Sequence, residues 1–390
     1  MPRVLRIINR FNIGGPTYNA TFLTRFLHED FETLLIGGLP EEGESDSLHI
    51  PAEYGIQPMI IEELKRKPNI KSDREAYKKI KEIILEFKPD IVHTHASKAG
   101  AIGRRAAYAC NVPVIIHTFH GHVFHSYFGQ LKTKLFKYIE RKLARKSTAI
   151  VAISEIQKKE LSEIHHICPA EKIHVIPLGF DLQKFQDNIN EKRKITRETY
   201  QLQEEDVAVA IIGRLTKIKN HAFFLEVVEN LLLNQAGNAT FFIVGDGELM
   251  DEIQEKVSVL IEKYQAKIIL TSWIKDIATF NAGMDIICLT SDNEGTPVSL
   301  IEAQASNVPI ITSDVGGVKD ILLEGKTGFV IKRGDLEDYV KKLGNLINNK
   351  ELRMELSSNG WNFVKEKFHY TRLTRDMEEL YRKLLEKNGK

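Results

Sequence analysis

The chain has 390 residues, enough for two domains that each bury a core of their own. Charged residues make up 27% of it and aliphatic and aromatic residues 43%, ordinary globular values that exclude a disordered, collagen-like or coiled-coil chain. The net charge is only +1, but residues 101–150 carry nine basic residues and a single acidic one, Glu140, so we expect a basic surface there.

Cysteine usage and hydropathy bear on the compartment. Cys110, Cys168 and Cys288 are odd in number and lack C-x-x-C spacing, which argues against a disulfide framework and a cysteine zinc site. The first residues lack the apolar segment of a signal peptide, and no run approaches the roughly 18 apolar residues that span a bilayer. The sequence predicts a cytoplasmic protein, free or peripheral at the inner face of the membrane.

In the first half, short apolar runs rich in β-branched residues alternate with segments of helical spacing. The runs cover 4–8, 33–37, 58–61, 90–94, 114–118 and 149–153. Residues 76–87 repeat apolar side chains at three- and four-residue intervals, which predicts an amphipathic helix. Alternating strands and helices predict a parallel sheet covered on both faces.

The same alternation restarts after a polar stretch, with apolar runs at 207–212, 240–244, 267–270, 285–289 and 309–312. We therefore predict two Rossmann-like, doubly wound α/β domains that face a deep cleft, residues 1–185 and 203–367, joined by a charged linker at 186–202. A last helix at about 371–387 carries one apolar stripe and must pack on a domain.

A glycine pair, Gly14 and Gly15, follows the first strand. Paired glycines allow a backbone to approach a phosphate or a sugar closely, and the helix that follows supplies amide donors. A plain strand-to-helix turn is the alternative, and the Gly-x-Gly-x-x-Gly pattern of a dinucleotide site is absent here.

Two cations, Arg214 and Lys219, follow the first strand of the second half. At the mouth of a cleft they could hold a diphosphate and stabilise the charge that develops on it as a leaving group. Alternatively, both are solvated side chains of a loop.

Two glutamates, Glu294 and Glu302, flank a Gly-Thr-Pro turn after an apolar strand. Glu294 would lie on a loop beside a ligand and Glu302 on a helix within reach of ribose hydroxyls. The first amides of that helix, near Val298 and Ser299, form a positive end suited to phosphate. Surface charges are the alternative.

Six histidines cluster in the first half, at 93, 95, 117, 120, 122 and 125. Their alternate spacing permits a zinc site. No cysteine lies among them, so we favour hydrogen bonding to a polar ligand and expect no metal.

The segment 126–147 has seven basic residues and one acidic residue, with apolar side chains at helical spacing. Such a helix could pack its apolar stripe on the domain and turn its basic face to an anionic membrane or a lipid pyrophosphate. A solvated helix without a partner is the alternative. We expect no nucleic-acid partner, since no binding motif accompanies the charge.

Several motifs together resemble the family-4 retaining glycosyltransferases, which have the two-domain GT-B fold. They are NIGG, KPDIVHTHASKAG, HTFHGH, AISE, VIPLGFDLQKF, GRLTKIKN, IVGDGEL, SWIKD and NEGTPVSLIEA. Asn220 departs from the pattern, since glycine is frequent after the lysine. The resemblance implies that the C-terminal domain binds a nucleotide sugar and the N-terminal domain the acceptor, with the last helix, about 368–390, crossing back to the N-terminal domain.

The resemblance also implies roles for individual residues. The diphosphate would contact Gly15, Arg214, Lys219, Val298 and Ser299; the donor sugar Glu294, Gly295 and Thr296; the ribose and base Glu302, Trp273 and Ile274; and the acceptor Gly14, His95 and Lys98. His120 would lie near the reacting centre and act in catalysis with Arg214, Lys219 and Glu294.

The predicted function is retaining transfer of a sugar from a UDP- or GDP-sugar to a saccharide or lipid-linked acceptor in the synthesis of a surface polysaccharide. The family implies front-face attack without a protein nucleophile, a metal or a further cofactor. A sugar-nucleotide epimerase, a phosphorylase and a non-catalytic sugar-nucleotide binding protein stay open on the same fold. An NAD-dependent dehydrogenase is disfavoured because the glycine fingerprint is missing.

Overall fold

The computed structural model describes residues 1–12, 15–40, 47–65, 69–120, 130–234 and 238–389, and the side chains of 130–132 lie outside this description. The chain forms two compact units. Unit 1 consists of Met1–Phe180 with Phe368–Lys390, and unit 2 of Asp181–Lys367.

Unit 1 contains a seven-stranded sheet with the order β3-β2-β1-β4-β5-β6-β7. Its strands are β1 (Arg3–Arg10), β2 (Glu32–Gly38), β3 (Met59–Ile60), β4 (Ile91–His95), β5 (Val114–Phe119), β6 (Ala149–Ala152) and β7 (Ile173–Val175). The helices in sequence with them are α1 (Gly15–Arg25), α2 (His49–Glu53), α3 (Ile70–Phe87), α4 (Ser97–Ala109), α5 (Gln130–Lys146) and α6 (Glu155–Lys159). All neighbouring strands are parallel, as the sequence predicts.

Apolar side chains cover both faces of this sheet, because a parallel sheet places crossover helices on each side. On one face, Leu5, Val92 and Ile115 pack in the cluster that includes α3 and α4 residues. On the other face, Val4 and Ile116 belong to a different cluster.

The last helix of the chain, α14 (Tyr370–Lys387), completes the second face of unit 1. Its buried stripe includes Leu373, Met377 and Leu384, which pack in the cluster that contains Val4. Arg372 fixes the start of the helix, since its guanidinium donates to the carbonyl oxygens of Pro177 at 2.8 Å and Leu178 at 2.7 Å.

Unit 2 contains a six-stranded parallel sheet with the order β10-β9-β8-β11-β12-β13. The strands are β8 (Val207–Ile212), β9 (Ala239–Val244), β10 (Lys267–Thr271), β11 (Ile286–Leu289), β12 (Ile310–Ser313) and β13 (Gly328–Ile331). Its α-helices are α7 (Ile189–Thr199), α8 (His221–Leu233), α9 (Met250–Tyr264), α10 (Ile277–Gly283), α11 (Val298–Ala305), α12 (Leu336–Asn348) and α13 (Lys350–Phe368). The predicted class of two parallel α/β sheets is thus confirmed.

Each sheet reverses its strand order at one point, between β1 and β4 in unit 1 and between β8 and β11 in unit 2. Ligands of open α/β sheets bind at the carboxyl ends of the strands beside such a reversal. A ligand site of unit 2 is therefore expected at the loops after β8 and β11.

The segment 186–202, which the sequence predicts as a linker, includes α7 and belongs to unit 2. Thr196 Oγ1 donates to the carbonyl oxygen of Thr279 in α10 at 2.7 Å, and Arg193 pairs with Asp285 at 2.8 Å. Gly283 lies so close to Thr196 that a Cβ there would overlap its methyl group. Polar side chains of α7 thus bond to α10 and to Asp285, so this segment is a packed helix of unit 2.

In the described part of the chain, no helix combines the length and the hydropathy that crossing a membrane requires.

Candidate functional site

Lys219 and Glu294 meet at the strand reversal of unit 2. Lys219 ends the short helical turn Lys217–Lys219 after β8, and Glu294 lies on the loop after β11. The Lys219 ammonium is 2.6 Å from Glu294 Oε1, and Ser291 Oγ donates to the same oxygen at 2.6 Å. The side chains are only 23% and 10% exposed, so the pair is partly desolvated and its charge-assisted hydrogen bond is strong.

Two glycines fix the backbone of Glu294. Gly316 has φ +51°, and a Cβ there would overlap the carbonyl oxygen of Glu294. The Gly317 amide donates to that same oxygen at 3.2 Å. The loop after β12 therefore supports the loop after β11 through direct backbone contact, which only glycine permits at 316.

A second glycine pair supports the loop that carries Arg214. The Leu215 amide donates to the carbonyl oxygen of Asp246 at 2.9 Å. A Cβ at Gly245 would overlap the Gly213 carbonyl oxygen, and one at Gly247 would lie 2.5 Å from the Leu215 carbonyl oxygen. The backbone around Arg214 is thus held while its side chain is exposed to solvent.

Asn220 stands at the position where glycine is frequent in the pattern that the sequence resembles. Its φ is +49°, a left-handed conformation that asparagine tolerates better than most residues. Its side chain also accepts from the Phe223 amide at 3.3 Å and so caps α8.

His221 begins α8 and is 1% exposed. Burial, together with the charge of Lys219, lowers the pKa of His221 to about 4, so the imidazole is neutral at pH 7. Among the described residues neither of its ring nitrogens has a hydrogen-bond partner.

Glu302 lies on α11, eight residues after Glu294. Burial raises the pKa of Glu302 to about 7, and the nearby charge of Lys184 opposes that shift. Val298 and Ser299 occupy the first two positions of α11, where backbone amides lack an intrahelical acceptor. Unit 2 therefore has an ion-paired carboxylate, Glu294, on the loop after β11 and a carboxyl group of raised pKa, Glu302, on the helix that follows.

Trp273 and Ile274 follow β10, two strands from the reversal. The Trp273 side chain is 53% exposed, and Ile274 is half-buried. Gly295 is exposed and Thr296 half-buried on the loop that leads into α11. An exposed indole is an unusual surface group that could cover a ring.

In unit 1, Gly15 begins α1 beside Leu178, and Gly14 lies outside the described residues. Lys98, another predicted acceptor residue, is only 15% exposed. Its ammonium lies 2.6 Å from Asp73 Oδ1 and 2.8 Å from the Lys65 carbonyl oxygen, so this side chain holds α4 to α3.

His120 follows β5 and pairs with His95 at the end of β4. His95 Nδ1 and His120 Nε2 are 2.9 Å apart, and the centroids of the two rings are 5.2 Å apart. Burial lowers the pKa of His120 to about 4 and that of His95 well below its ordinary value. Both imidazoles are neutral at pH 7. His122 and His125 lie outside the described residues.

The described residues contain no group of three or more His, Cys, Asp or Glu side chains placed to hold a metal ion. The cluster histidines at 93, 95, 117 and 120 contact one another, threonine hydroxyls and Tyr381.

Several contributors to the site escape sequence reasoning. Ser291 donates to Glu294 within one loop. Lys184 acts on Glu302 through its charge, and the glycines at 245 and 316 contact backbone that is distant in sequence. The motif IVGDGEL contains Gly245, and Gly316 lies on the loop after β12. Only the fold shows which backbone each of these glycines contacts.

Two family profiles match the chain, one in each half. Residues 14–184 match Glycosyltransferase Family 4, and residues 192–363 match Glycosyl transferases group 1.

Two characterised relatives align over most of their lengths. The UDP-Gal:alpha-D-GlcNAc-diphosphoundecaprenol alpha-1,3-galactosyltransferase of Escherichia coli is 28% identical over 87% of this chain and 87% of its own. The capsular polysaccharide biosynthesis glycosyltransferase CapM of Staphylococcus aureus is 28% identical over 84% and 86%.

Solved structures share the fold. A glycosyltransferase from Rickettsia africae superposes with a TM-score of 0.81 at 22% identity and covers 98% of both chains. HepE of Anabaena in complex with UDP superposes with a TM-score of 0.79 at 17% identity, over 98% of this chain and 100% of that one.

Proposed function

We propose that this chain, which belongs to the glycosyltransferases through its Family 4 and group 1 segments, transfers a sugar from a UDP-sugar to a lipid-linked or saccharide acceptor in surface-polysaccharide synthesis. The contact of Lys219 with Glu294 carries this proposal. A cation and a carboxylate lie together at the strand reversal, where a diphosphate and its sugar would need them.

In this proposal the donor diphosphate binds to Arg214, Lys219 and the first amides of α11. Lys219 keeps its contact with Glu294 and directs its remaining N–H donors to the phosphate oxygens. Negative charge develops on the leaving phosphate as the glycosidic bond breaks, and donors that are already in place stabilise it without reorganising. Because these groups supply the positive charge, we propose that transfer proceeds without a metal ion.

Glu302 binds the ribose, and Trp273 with Ile274 covers the base. A carboxylate accepts from two vicinal hydroxyls, so the ionised form of Glu302 is the binding form. UDP is the proposed nucleotide because the E. coli relative is named for UDP-Gal and HepE was solved with UDP.

The proposed stereochemistry is retention by front-face attack. The departing phosphate oxygen takes the proton of the acceptor hydroxyl while the new glycosidic bond forms on the same face. His120, neutral at pH 7, contributes hydrogen bonding near the reacting centre and not a positive charge.

A polyprenyl pyrophosphate is the proposed carrier of the acceptor sugar, since the name of the E. coli relative specifies diphosphoundecaprenol. A carrier of this kind stays in the membrane, so the enzyme must work at the bilayer surface.

Helix α5 offers a surface for that purpose. Leu135 and Tyr138 are 57% and 52% exposed, and Ile139 is also exposed. They therefore point outward, whereas the expected apolar stripe packed on the domain would bury Leu135 and Ile139; the inward residues are Phe136 and Leu143.

The charges of α5 agree with an anionic partner. Its exposed basic side chains are Lys134, Lys142, Arg145 and Lys146. Glu140 is the one acidic residue of the helix, and it is buried in an ion pair with Arg104 at 2.6 Å. The outer face thus combines apolar and cationic groups, as interfacial helices do, and we propose that it contacts anionic lipid.

The first experiment is thermal unfolding with UDP, GDP, ADP and NAD at equal concentration. A ligand at about 100 times its Kd stabilises the folded state by about 2.7 kcal/mol. Stabilisation by UDP alone supports the proposed donor, and stabilisation by NAD alone would overturn the proposal.

Transfer is then measured with radiolabelled UDP-sugars and polyprenyl-pyrophosphate sugars. Product that forms only with acceptor supports the proposal. Conversion of the UDP-sugar without acceptor would indicate an epimerase, and a requirement for inorganic phosphate would indicate a phosphorylase.

A further inference from the structure

A polar cluster lies inside unit 1, on the sheet face that α1 and α14 cover. We define the buried polar cluster as Arg6, His93, His95, Thr118 and Tyr381, each at most 2% exposed. Arg6 is paired with His93 across β1 and β4, and His95 with Thr118 across β4 and β5. Residues two apart on a strand face the same side, so the backbone register brings these groups together.

The hydroxyl groups of the cluster fix the ring of His93. Its Nδ1 lies 2.6 Å from the Tyr381 hydroxyl oxygen, and its Nε2 lies 2.7 Å from Thr118 Oγ1. With both nitrogens bonded, the imidazole cannot rotate without losing two hydrogen bonds. The centroid of His95 is 4.2 Å from that of His93, so the fixed ring forms one wall for its neighbour.

A buried cation lies in the same cluster as these rings. Arg6 is fully buried, bonds to Thr24 Oγ1 at 3.3 Å and lies 5.9 Å from the centroid of the Tyr381 ring. Within the described ranges no carboxylate forms an ion pair with it. Burial of the two rings lowers the pKa of His93 and His95, and the charge of Arg6 lowers both further.

Neutrality makes the contact between His95 and His120 directional. A neutral imidazole has one N–H and one lone pair. One ring must therefore donate across the 2.9 Å contact and the other must accept. Whichever tautomer His95 adopts determines whether Nδ1 of His120, which has no partner among the described residues, is a donor or an acceptor.

We propose that His95 is a positioning residue that selects the tautomer and orientation of His120, and that Tyr381 and His93 hold His95 in place. His95 itself is fully buried and acts through His120, not by contact with the acceptor. The effect on transfer rests on the proposed function, but the hydrogen bond can be observed without any substrate.

The test is a two-bond ¹H–¹⁵N correlation spectrum of ¹⁵N-histidine-labelled full-length protein, which distinguishes the two tautomers. His120 is assigned from its missing signals in His120→Gln. We expect one dominant tautomer of His120 in the wild type and a mixture in His95→Ala. His95→Asn should restore the single form, because its amide reaches the position of Nδ1, whereas His95→Gln, whose amide reaches the position of Nε2, should not.

Kinetics supply a second readout. We expect His95→Ala to lower kcat about 10- to 100-fold, with the KM of the donor within about threefold. In a His120→Gln background the same substitution should have no further effect. Tyr381→Phe removes only the hydroxyl and should broaden the His93 and His95 signals.

Unchanged His120 signals in folded His95→Ala, or an Asn variant indistinguishable from the Gln variant, would overturn the inference. If the spectra change as expected while no sugar is transferred, the positioning contact stands and the proposed function fails.

Discussion

Lys219 and Glu294, 75 residues apart in sequence, are joined by a 2.6 Å ion pair. The cation that would hold the leaving group and the carboxylate that would hold the sugar therefore restrict each other's rotamers. Such mutual restraint places binding groups in advance, which lowers the entropic cost of assembling the reacting geometry.

Lys219→Ala should lower the rate of transfer by about 100-fold or more, because a preorganised charge on the leaving phosphate is lost. The matched control is Lys217→Ala, since Lys217 is an exposed lysine in the same helical turn. Steady-state kinetics with the donor and acceptor that support turnover provide the measurement. Equal losses in the two variants would refute the role of Lys219.

UDP binding should weaken as pH falls through about 7, because burial raises the pKa of Glu302 to about 7 and protonation removes the acceptor for the ribose hydroxyls. Calorimetric titration at pH 6 and pH 8 gives the slope. Glu302→Gln is the control. Any pH dependence of affinity that remains in this variant comes from the ionisation of UDP itself. A wild-type slope equal to that of the variant would contradict the assignment.

The raised pKa of Glu302 also predicts how the stability of the protein depends on pH. The pKa of Glu302 is higher in the folded chain than in the unfolded chain, so the folded state binds the proton more tightly. Relative to Glu302→Gln, the wild type should lose stability as pH rises from the ordinary pKa of glutamate to about 7. Denaturant unfolding of both proteins at several pH values tests this, and a wild type that gains stability relative to the variant as pH rises would contradict it.

Gly316→Ala should destabilise the protein and weaken binding of the UDP-sugar, since the added methyl group displaces the backbone of Glu294, the proposed sugar-binding residue. Gly334→Ala is the matched control: its φ is +77°, but nothing lies within 4 Å of an added Cβ. The control should cost only the left-handed strain of about 1–2 kcal/mol and keep its affinity. Similar UDP-sugar affinities in the two variants would show that the contact with Glu294 is unimportant.

Helix α5 should bind vesicles that contain anionic lipid. Replacing Leu135 and Ile139 with serine, or Lys142 and Arg145 with glutamate, should shift the protein to the supernatant on sedimentation, as each basic group contributes about 1 kcal/mol near such a surface. Met354→Ser, which alters an exposed apolar side chain of unit 2, is the control. Equal recovery of wild type and variants with neutral and anionic vesicles would exclude this surface.

Sequence periodicity was sufficient for the two sheets, because a strand buried on both faces is apolar along most of its length. It was insufficient for α5, where Leu135 and Ile139 fit the stripe of a packed helix but point outward. Helical spacing shows which residues share a face, and only the neighbouring elements determine whether that face is covered.

The site shows the same division. Arg214, Lys219 and Glu294 could be proposed from local motifs, since each lies directly after a strand. The pairing of His95 with His120 depends on the register of β4 and β5, and the contact of Gly316 with Glu294 depends on two loops from adjacent strands. Contacts of this kind are set by topology, which no single motif encodes.

The arrangement of unit 1 also has a consequence for synthesis on the ribosome. Unit 2 is one continuous segment, so all of its strands are available once residue 367 has emerged. The sheet of unit 1 is made first but lacks Leu373, Met377 and Tyr381 until the last segment is translated, which leaves one apolar face open meanwhile. In the nascent chain, this apolar face of the half that is synthesised first therefore stays uncovered until residues 368–390 have been added.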